Sequence, residues 1–298
     1  MRTKNRVKLL PRAINSVINQ TFQDWVLVIV NDGGEKEPVD AIVDHFTEQH
    51  KGTIRVIHNL DSVGMEAASN IGFKSIRTRY STLLDDDDTW APDFLKLSIS
   101  ELDTLNEKYK NVMGVVSFTN VVYEKIENEN IIIENIVSLN NVFNLDLVEG
   151  PVNFSKILNR NAFSNNSFLY YSSVFEKIGY YREDLPVIGD WEFNLRFLKE
   201  YNIFVIPHYL AFYHQRVNDQ SQYGNTVTAG IAQHALYRNL MNNEWLRQEL
   251  QNEPTAIGFY SNVMPILYDL LNNQKQFMQF QNQIAALLQV IGKKLFDI

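Results

Sequence analysis

Apolar and polar positions along the first half of the chain switch between a helical and a strand period. Over 7–20, Leu9, Leu10, Ala13, Ile14, Val17 and Ile18 share one helical face, and Pro11 suits a first turn. Residues 25–30 form a short apolar run stopped by Asn31-Asp32-Gly33-Gly34, the pattern of a buried strand and a tight turn. The alternation continues with a helix over 38–49 (Val39, Ile42, Val43, Phe46), a strand over 53–57 and a helix over 64–76. A strand over 80–84, a helix over 92–105 and a strand over 112–118 follow. This predicts an α/β fold, a mostly parallel sheet with helices on both faces. Ligands of such sheets sit at the carboxyl ends of the strands. The Asn-Asp-Gly-Gly turn and the run Asp85–Asp88 both fall there, on one edge, although more than fifty positions separate them.

The second half is less regular. Residues 121–137 alternate loosely around Glu-Asn-Glu-Asn and predict a hairpin. Residues 140–166 are rich in asparagine with weak periodicity, which predicts a long loop over the active edge, an acceptor or lid element. A helix is predicted over 191–201, and short strands over 203–206 and 209–214 around Pro207. From 226 onward the pattern is helical. The chain thus divides into an α/β domain over 1–222 and a helical C-terminal extension over 223–298.

Composition narrows the function classes. With 298 residues, 45% of them hydrophobic and 21% charged, the chain is an ordinary globular protein with a sizeable core. The net charge of -8 argues against nucleic acid as a partner, because phosphate neutralisation needs a basic excess. The absence of cysteine removes disulfides and thiolate chemistry, and fits a cytoplasmic protein. The opening Met1-Arg2-Thr3-Lys4-Asn5-Arg6 has no apolar leader core, and the run over 26–30 is far too short to span a membrane.

Four features carry chemistry. Adjacent carboxylates a few ångströms apart repel by about 1 kcal/mol or more per pair when partly desolvated. Four of them after a buried strand suit a divalent cation, Mg²⁺ or Mn²⁺, on hard oxygen ligands, and also suit a solvated acidic turn capping the next helix. The Asp32 turn is a common structural turn whose interest lies in its place at a strand end. In Gly189-Asp190-Trp191-Glu192, Asp190 reads either as a helix cap or as a general base. In Tyr213-His214-Gln215-Arg216, His214 reads as an extra metal ligand or as a hydrogen-bonded strand-end histidine, and Arg216 as a phosphate contact.

Taken in order, these segments resemble a known family. Thr3-x-Asn5-Arg6, then Ala13-Ile14-x-Ser16-Val17-x-x-Gln20-Thr21-Phe22-x-x-Trp25 and Val28 to Gly34, resemble the start of family 2 glycosyltransferases. Leu84 to Trp90 with Pro92 and Leu95 looks like that family's variant Asp-x-Asp metal motif, and Gly189-Asp190-Trp191 like its Glu-Asp motif with Gly for Glu. The resemblance covers about 1–220. It implies the GT-A fold, with a nucleotide-binding half over 1–118 and an acceptor half over 119–222. It also implies a nucleotide-diphosphate sugar donor, a carbohydrate or lipid-linked sugar acceptor, Mn²⁺ or Mg²⁺, and inversion at the anomeric carbon. Bacterial surface polysaccharide is the implied setting. Carried over residue by residue, Asp32 and Thr3 meet the nucleobase and Asn5 and Arg6 belong to the same first loop. Asp85 or Asp86 meets the ribose, Asp87 (with His214 as an added ligand) holds the metal, and Asp190 is the base with Glu192 in reserve.

Three departures from the family pattern stand out. Almost nothing precedes Thr3 where the family has a buried strand, as though a start site or boundary had been placed inside it. Ser69 in Gly64-Met65-Glu66-Ala67-Ala68-Ser69-Asn70 stands where arginine is frequent, which leaves a charge to be supplied by Arg77 or Arg79. Gly189 stands for glutamate. A non-catalytic nucleotide-sugar-binding subunit and a nucleotidyltransferase are the competing readings, the latter without its Gly-rich basic loop. Over 284–296, Ala285, Leu288, Ile291 and Leu295 share a helical face with Lys293 and Lys294 nearby, which suits packing, a homo-oligomer or peripheral contact with the inner face of the membrane.

Overall fold

The computed structural model describes residues 1–47, 53–128, 130–143, 145, 147–216, 219, 221–225, 231–253, 257–258, 261, 266–267, 269–270 and 272–284. The chain forms two compact units, Met1–Tyr237 and Arg238–Ile298.

In the first unit, α1 (Leu10–Ile18) buries Leu10, Ala13, Ile14 and Val17 at helical spacing, with Pro11 in its first turn. Its face packs in the main core with Ile29, Leu84, Phe94 and Leu102. Strand β1 (Arg2–Thr3) is followed by β2 (Leu27–Asp32), buried at every position, and β3 (Ile54–Asn59). They form a parallel sheet in the order β1-β2-β3, spaced by α1 and α2 (Lys36–Thr47). Continuous burial of β2 is what a strand covered on both faces requires. Strand β1 is two residues long, and just before it Met1 O accepts from Val30 N at 2.9 Å.

The second sheet is mixed. It contains β4 (Tyr80–Thr82), β5 (Thr89–Trp90), β6 (Val112–Glu127), β7 (Asn130–Ser138), β8 (Gly150–Pro151), β9 (Phe168–Tyr171) and β10 (Asn202–Gln215). The order is β4-β9-β6-β10-β5, with β7 beside β6 and β8 beside β10. The long β6–β10 pairing is parallel, and β6–β7 is the predicted hairpin. A parallel bridge between Arg2 and Asp85 links the two sheets and brings the ends of β2 and β4 to one edge. Helices α3 (Met65–Lys74) and α4 (Phe94–Lys108) complete the covering layers, and Trp90 stacks on Phe94 at 4.3 Å.

Two predictions change. The two strands around Pro207 are one strand, β10, whose register slips between Ile206 and Tyr209 because proline cannot donate to the ladder. The asparagine-rich stretch is folded rather than looped. It holds α5 (Leu139–Phe143), β8, α6 (Phe154–Asn159) and a 3-10 turn at Asn165–Ser167. Its asparagines close the backbone locally. Asn153 caps α6 by accepting from Ser155 N at 3.0 Å, and Asn140 holds both the carbonyl and the amide of Leu147. After α7 (Val174–Ile178), α8 (Gly189–Glu200) leads into β10. The second unit is helical where described and holds most of α9 (Ile231–Asn252). Apart from Ile284, the amphipathic segment over 284–296 lies outside the described residues. No described helix is long and apolar enough to cross a membrane.

Candidate active site

The edge shared by β2, β4 and the start of α8 opens into a cleft of about 640 Å³, lined by Thr3, Arg6, Asp32, Asp85 to Asp88 and Asp190 among others. Asn5, His214, Arg216 and the reserve base Glu192 are expected site residues that do not line it.

The four aspartates hold different positions. Asp85 is half-buried and accepts from Arg2 Nε at 2.8 Å. Asp86 is buried and receives Arg6 Nη1 at 3.2 Å on Oδ1. Burial and the neighbouring Asp87 raise its pKa. Asp87 is buried too, and its Oδ2 takes Arg6 at 3.2 Å and an ion pair from Arg216. Asp88 points into the fold. It accepts from His214 N at 3.0 Å and Asn166 Nδ2 at 2.9 Å, which ties the acidic turn to β10.

Beneath the turn is a charge cluster that the sequence reading missed. Glu124 is fully buried in β6 and accepts from Arg12 at 2.6 and 3.0 Å and from Arg216 Nη1 at 2.6 Å. Its Oε2 also lies 2.8 Å from His214 Nδ1. Despite burial, these partners bring its pKa down to about 2. The only signal in sequence was a carboxylate inside the valine-rich strand. His214 is therefore not placed as a metal ligand. Nδ1 faces Glu124, Nε2 faces Thr89 Oγ1 at 2.9 Å, and burial lowers its pKa towards the neutral form. Arg216 meets Asp87 and Glu124 rather than an open phosphate site.

Asp32 ends β2 with all four acceptor sites filled by its own chain. Asn59 donates at 2.8 Å, Ser62 at 2.7 Å, Val63 N at 2.9 Å and Gly64 N at 3.1 Å, which lowers its pKa against the effect of burial. It fixes the loop into α3, and Gly33, at φ +73°, leaves the space where a Cβ would meet Ser62 N. A nucleobase donor would have to displace one of these bonds. Thr3 lines the cleft with its buried hydroxyl against Asp86. Asn5 instead holds Glu35 N at 3.2 Å.

Arg2 lies beside Ser69, donating from Nη1 to Ser69 Oγ at 3.2 Å, and lines the cleft. Arg77 and Arg79 do not line the cleft, and Arg79 pairs with Asp103 at 3.1 Å.

Asp190 is half-buried in the first turn of α8. Ile188, at φ 61°, occupies the left-handed region ahead of it, a position that costs a branched residue about 1–2 kcal/mol and turns the chain into the cleft. Asp190 Oδ1 accepts from Trp191 N at 2.7 Å and Oδ2 from Asn161 Nδ2 at 2.9 Å, while Asn194 Nδ2 donates to Asn161 at 3.1 Å. Burial raises its pKa, which makes it a better base. Glu192 is turned away. It is buried against Arg196 at 2.7 and 2.8 Å and does not line the cleft. Glu66, which was missed, does line it. Burial, with Asp190 and Asp85 nearby, pushes its carboxyl up to about 7 against the pull of Arg2.

Among the described residues no three His, Asp or Glu side chains form a ready-made metal cage. The donors still fit a Mg²⁺ or Mn²⁺ ion of the kind that keeps waters and substrate phosphates as its other ligands. Asp86 Oδ2 is a buried hard oxygen, Arg6 meeting the other oxygen, and Asp87 stands beside it.

A sequence model of glycosyl transferase family 2 matches residues 1–179. The chain belongs to this family. The uncharacterized glycosyltransferase YwdF of Bacillus subtilis is 25% identical over 206 residues, 69% of each chain. The putative colanic acid biosynthesis glycosyl transferase WcaA of Escherichia coli is 31% identical over 105 residues, 35% of this chain and 37% of that one. Among solved structures, S. aureus TarS 1-349 in complex with UDP-GlcNAc superposes with a TM-score of 0.51 at 16% identity, covering 76% of this chain and 60% of that one. The mannosyltransferase PcManGT from Pyrobaculum calidifontis, in complex with GDP-Man and Mn²⁺, gives 0.53 at 14% identity, covering 74% and 56%. These establish the GT-A fold, and the expected fold and family are borne out.

Proposed function

We propose that this chain transfers a sugar, with inversion, from a nucleoside diphosphate donor to a hydroxyl of a carbohydrate or lipid-linked acceptor during assembly of a cell-surface polymer. One observation carries the reading. Asp190, a carboxylate of raised basicity with both oxygens oriented by hydrogen bonds, faces the same cleft as the buried pair Asp86 and Asp87. The UDP-GlcNAc and GDP-Man complexes of the structural neighbours support a nucleotide-sugar donor, and WcaA supports the surface-polymer setting. The cysteine-free chain suits work in the cytoplasm, where the C-terminal helices give a place for contact with the membrane face or a second copy.

Asp190 takes the proton of the acceptor hydroxyl as its oxygen bonds to the anomeric carbon. The bond from that carbon to the diphosphate breaks, and the nucleoside diphosphate leaves with the electron pair. Arg6, on the cleft wall against Asp86 and Asp87, lies where the leaving group gathers negative charge. Asp86 and Asp87 would hold the divalent ion, which supplies charge neutralisation to the departing diphosphate. Asp32 keeps the 59–64 loop shaped for the base, and Thr3 lines the wall beside Asp86.

The test pairs binding with transfer. A thermal-shift screen with Mn²⁺ and nucleotide sugars identifies the donor. Asp190→Asn then keeps donor binding while transfer falls by about 10²–10⁴-fold. Transfer at the wild-type rate by this variant would refute the assignment.

A further inference from the structure

Glu66 sits in the first turn of α3 and is 6% exposed. Its Oε2 is buried with no hydrogen-bond partner. Leaving such a group unsatisfied is costly, and a donor from outside the chain recovers that cost.

The space it occupies is made by Gly189. A Cβ at 189 would overlap Cγ, Cδ and Oε1 of Glu66. Gly189 does not adopt a left-handed φ, so its backbone does not call for glycine. The residue is small for the sake of its neighbour. Glu66 therefore fills the position next to Asp190 from another helix, and the Arg2–Asp85 ion pair flanks its other side closely enough to act on its charge.

We propose that Glu66 takes a hydrogen bond from a hydroxyl of the transferred sugar and selects for that hydroxyl's configuration. The proposal rests on the glycosyl-transfer reading above. A carboxyl group repels a phosphate and seeks an O–H or N–H donor. The sugar has to lie between the acidic turn, which meets the diphosphate side, and Asp190, which meets the acceptor. Glu66 is an unsatisfied group on that wall, near both Asp85 and Asp190.

The experiment is calorimetric titration with Mn²⁺ and four probes: UDP, GDP, UDP-N-acetylglucosamine and GDP-mannose. The proteins are wild type, Glu66→Ala, Glu66→Asp and Gly189→Ala. Wild type binds one nucleoside diphosphate, and its sugar-bearing form gains affinity from the sugar. Glu66→Ala leaves the nucleoside diphosphate within about twofold and loses about tenfold or more on the nucleotide sugar, as expected for the loss of one buried hydrogen bond. Glu66→Asp withdraws the carboxyl by one methylene and shows the same selective loss, which covers the case in which the alanine variant fails to fold. Gly189→Ala, by displacing Glu66, does so too. Equal losses for the nucleoside diphosphate and the nucleotide sugar would make Glu66 a ribose or structural residue and overturn the proposal, as would no loss at all. A wild type that binds none of the four, and no other nucleotide sugar in the thermal-shift screen, overturns the glycosyl-transfer reading itself, and this proposal with it.

Discussion

Glu124→Gln gives the sharpest test of how the acidic turn is held. The substitution keeps shape and removes one charge from a site that is fully buried. Arg216, 1% exposed, then keeps Asp87 alone, His214 loses its anionic partner, and Arg12, at 25%, turns towards water. Removing one member of a buried pair costs about 3–5 kcal/mol because the partner stays buried and uncompensated. Since Arg12 can rehydrate, the lower figure is expected. Urea denaturation measures it. With a slope of about 3 kcal/mol per molar, the midpoint falls by about 1 M. The sign with pH follows. Glu124 binds fewer protons folded than unfolded, so its stabilisation is complete above about 4.5 and fades as pH falls towards about 2. The Gln variant lacks that fading, and the stability gap to wild type closes on acidification. A midpoint shift no larger than that of Glu107→Gln on the exposed face of α4, about 0.5 kcal/mol or less, would refute the reasoning.

Further expectations concern the cleft. Asp87→Ala weakens Mn²⁺-dependent binding of the nucleoside diphosphate by about 100-fold, whereas Glu101→Ala on α4 changes it less than twofold. Equal effects by titration would count against the metal role. Asn161→Leu removes the donor to Asp190 Oδ2, raises the base's pKa further, and moves the acid limb of the pH–rate profile up by about half a unit to one unit. An unmoved limb would show that Asn161 does not tune the base.

The sequence was informative where function and fold share a repeating signal. Helix–strand alternation gave β2, β3 and both strand-end acidic turns, but not the two-residue β1, and ordered motifs gave the family. It was less informative where one residue's role depends on a distant partner. Asp85 to Asp88 read as equivalent, yet Asp88 is bound to His214 and Asn166 and serves the fold. Arg12 and Glu124 lie 112 positions apart, so no local pattern pairs them. The asparagines over 140–166 looked like loop composition. Their neutral amides can donate and accept at once, which is why they close turns, hold Asp190 and brace Asp88. Gly189 looked like the loss of an acid, and only the packing shows Glu66 in that space.

The pairing of Asp86 and Asp87 with Arg6 and Arg216 has a consequence for how the protein rests between turnovers. The acidic turn carries built-in counter-ions, so its shape does not wait on an incoming cation. Chelation should silence such a site without unravelling it, and readmitting the ion should restore it at the speed of diffusion rather than of refolding.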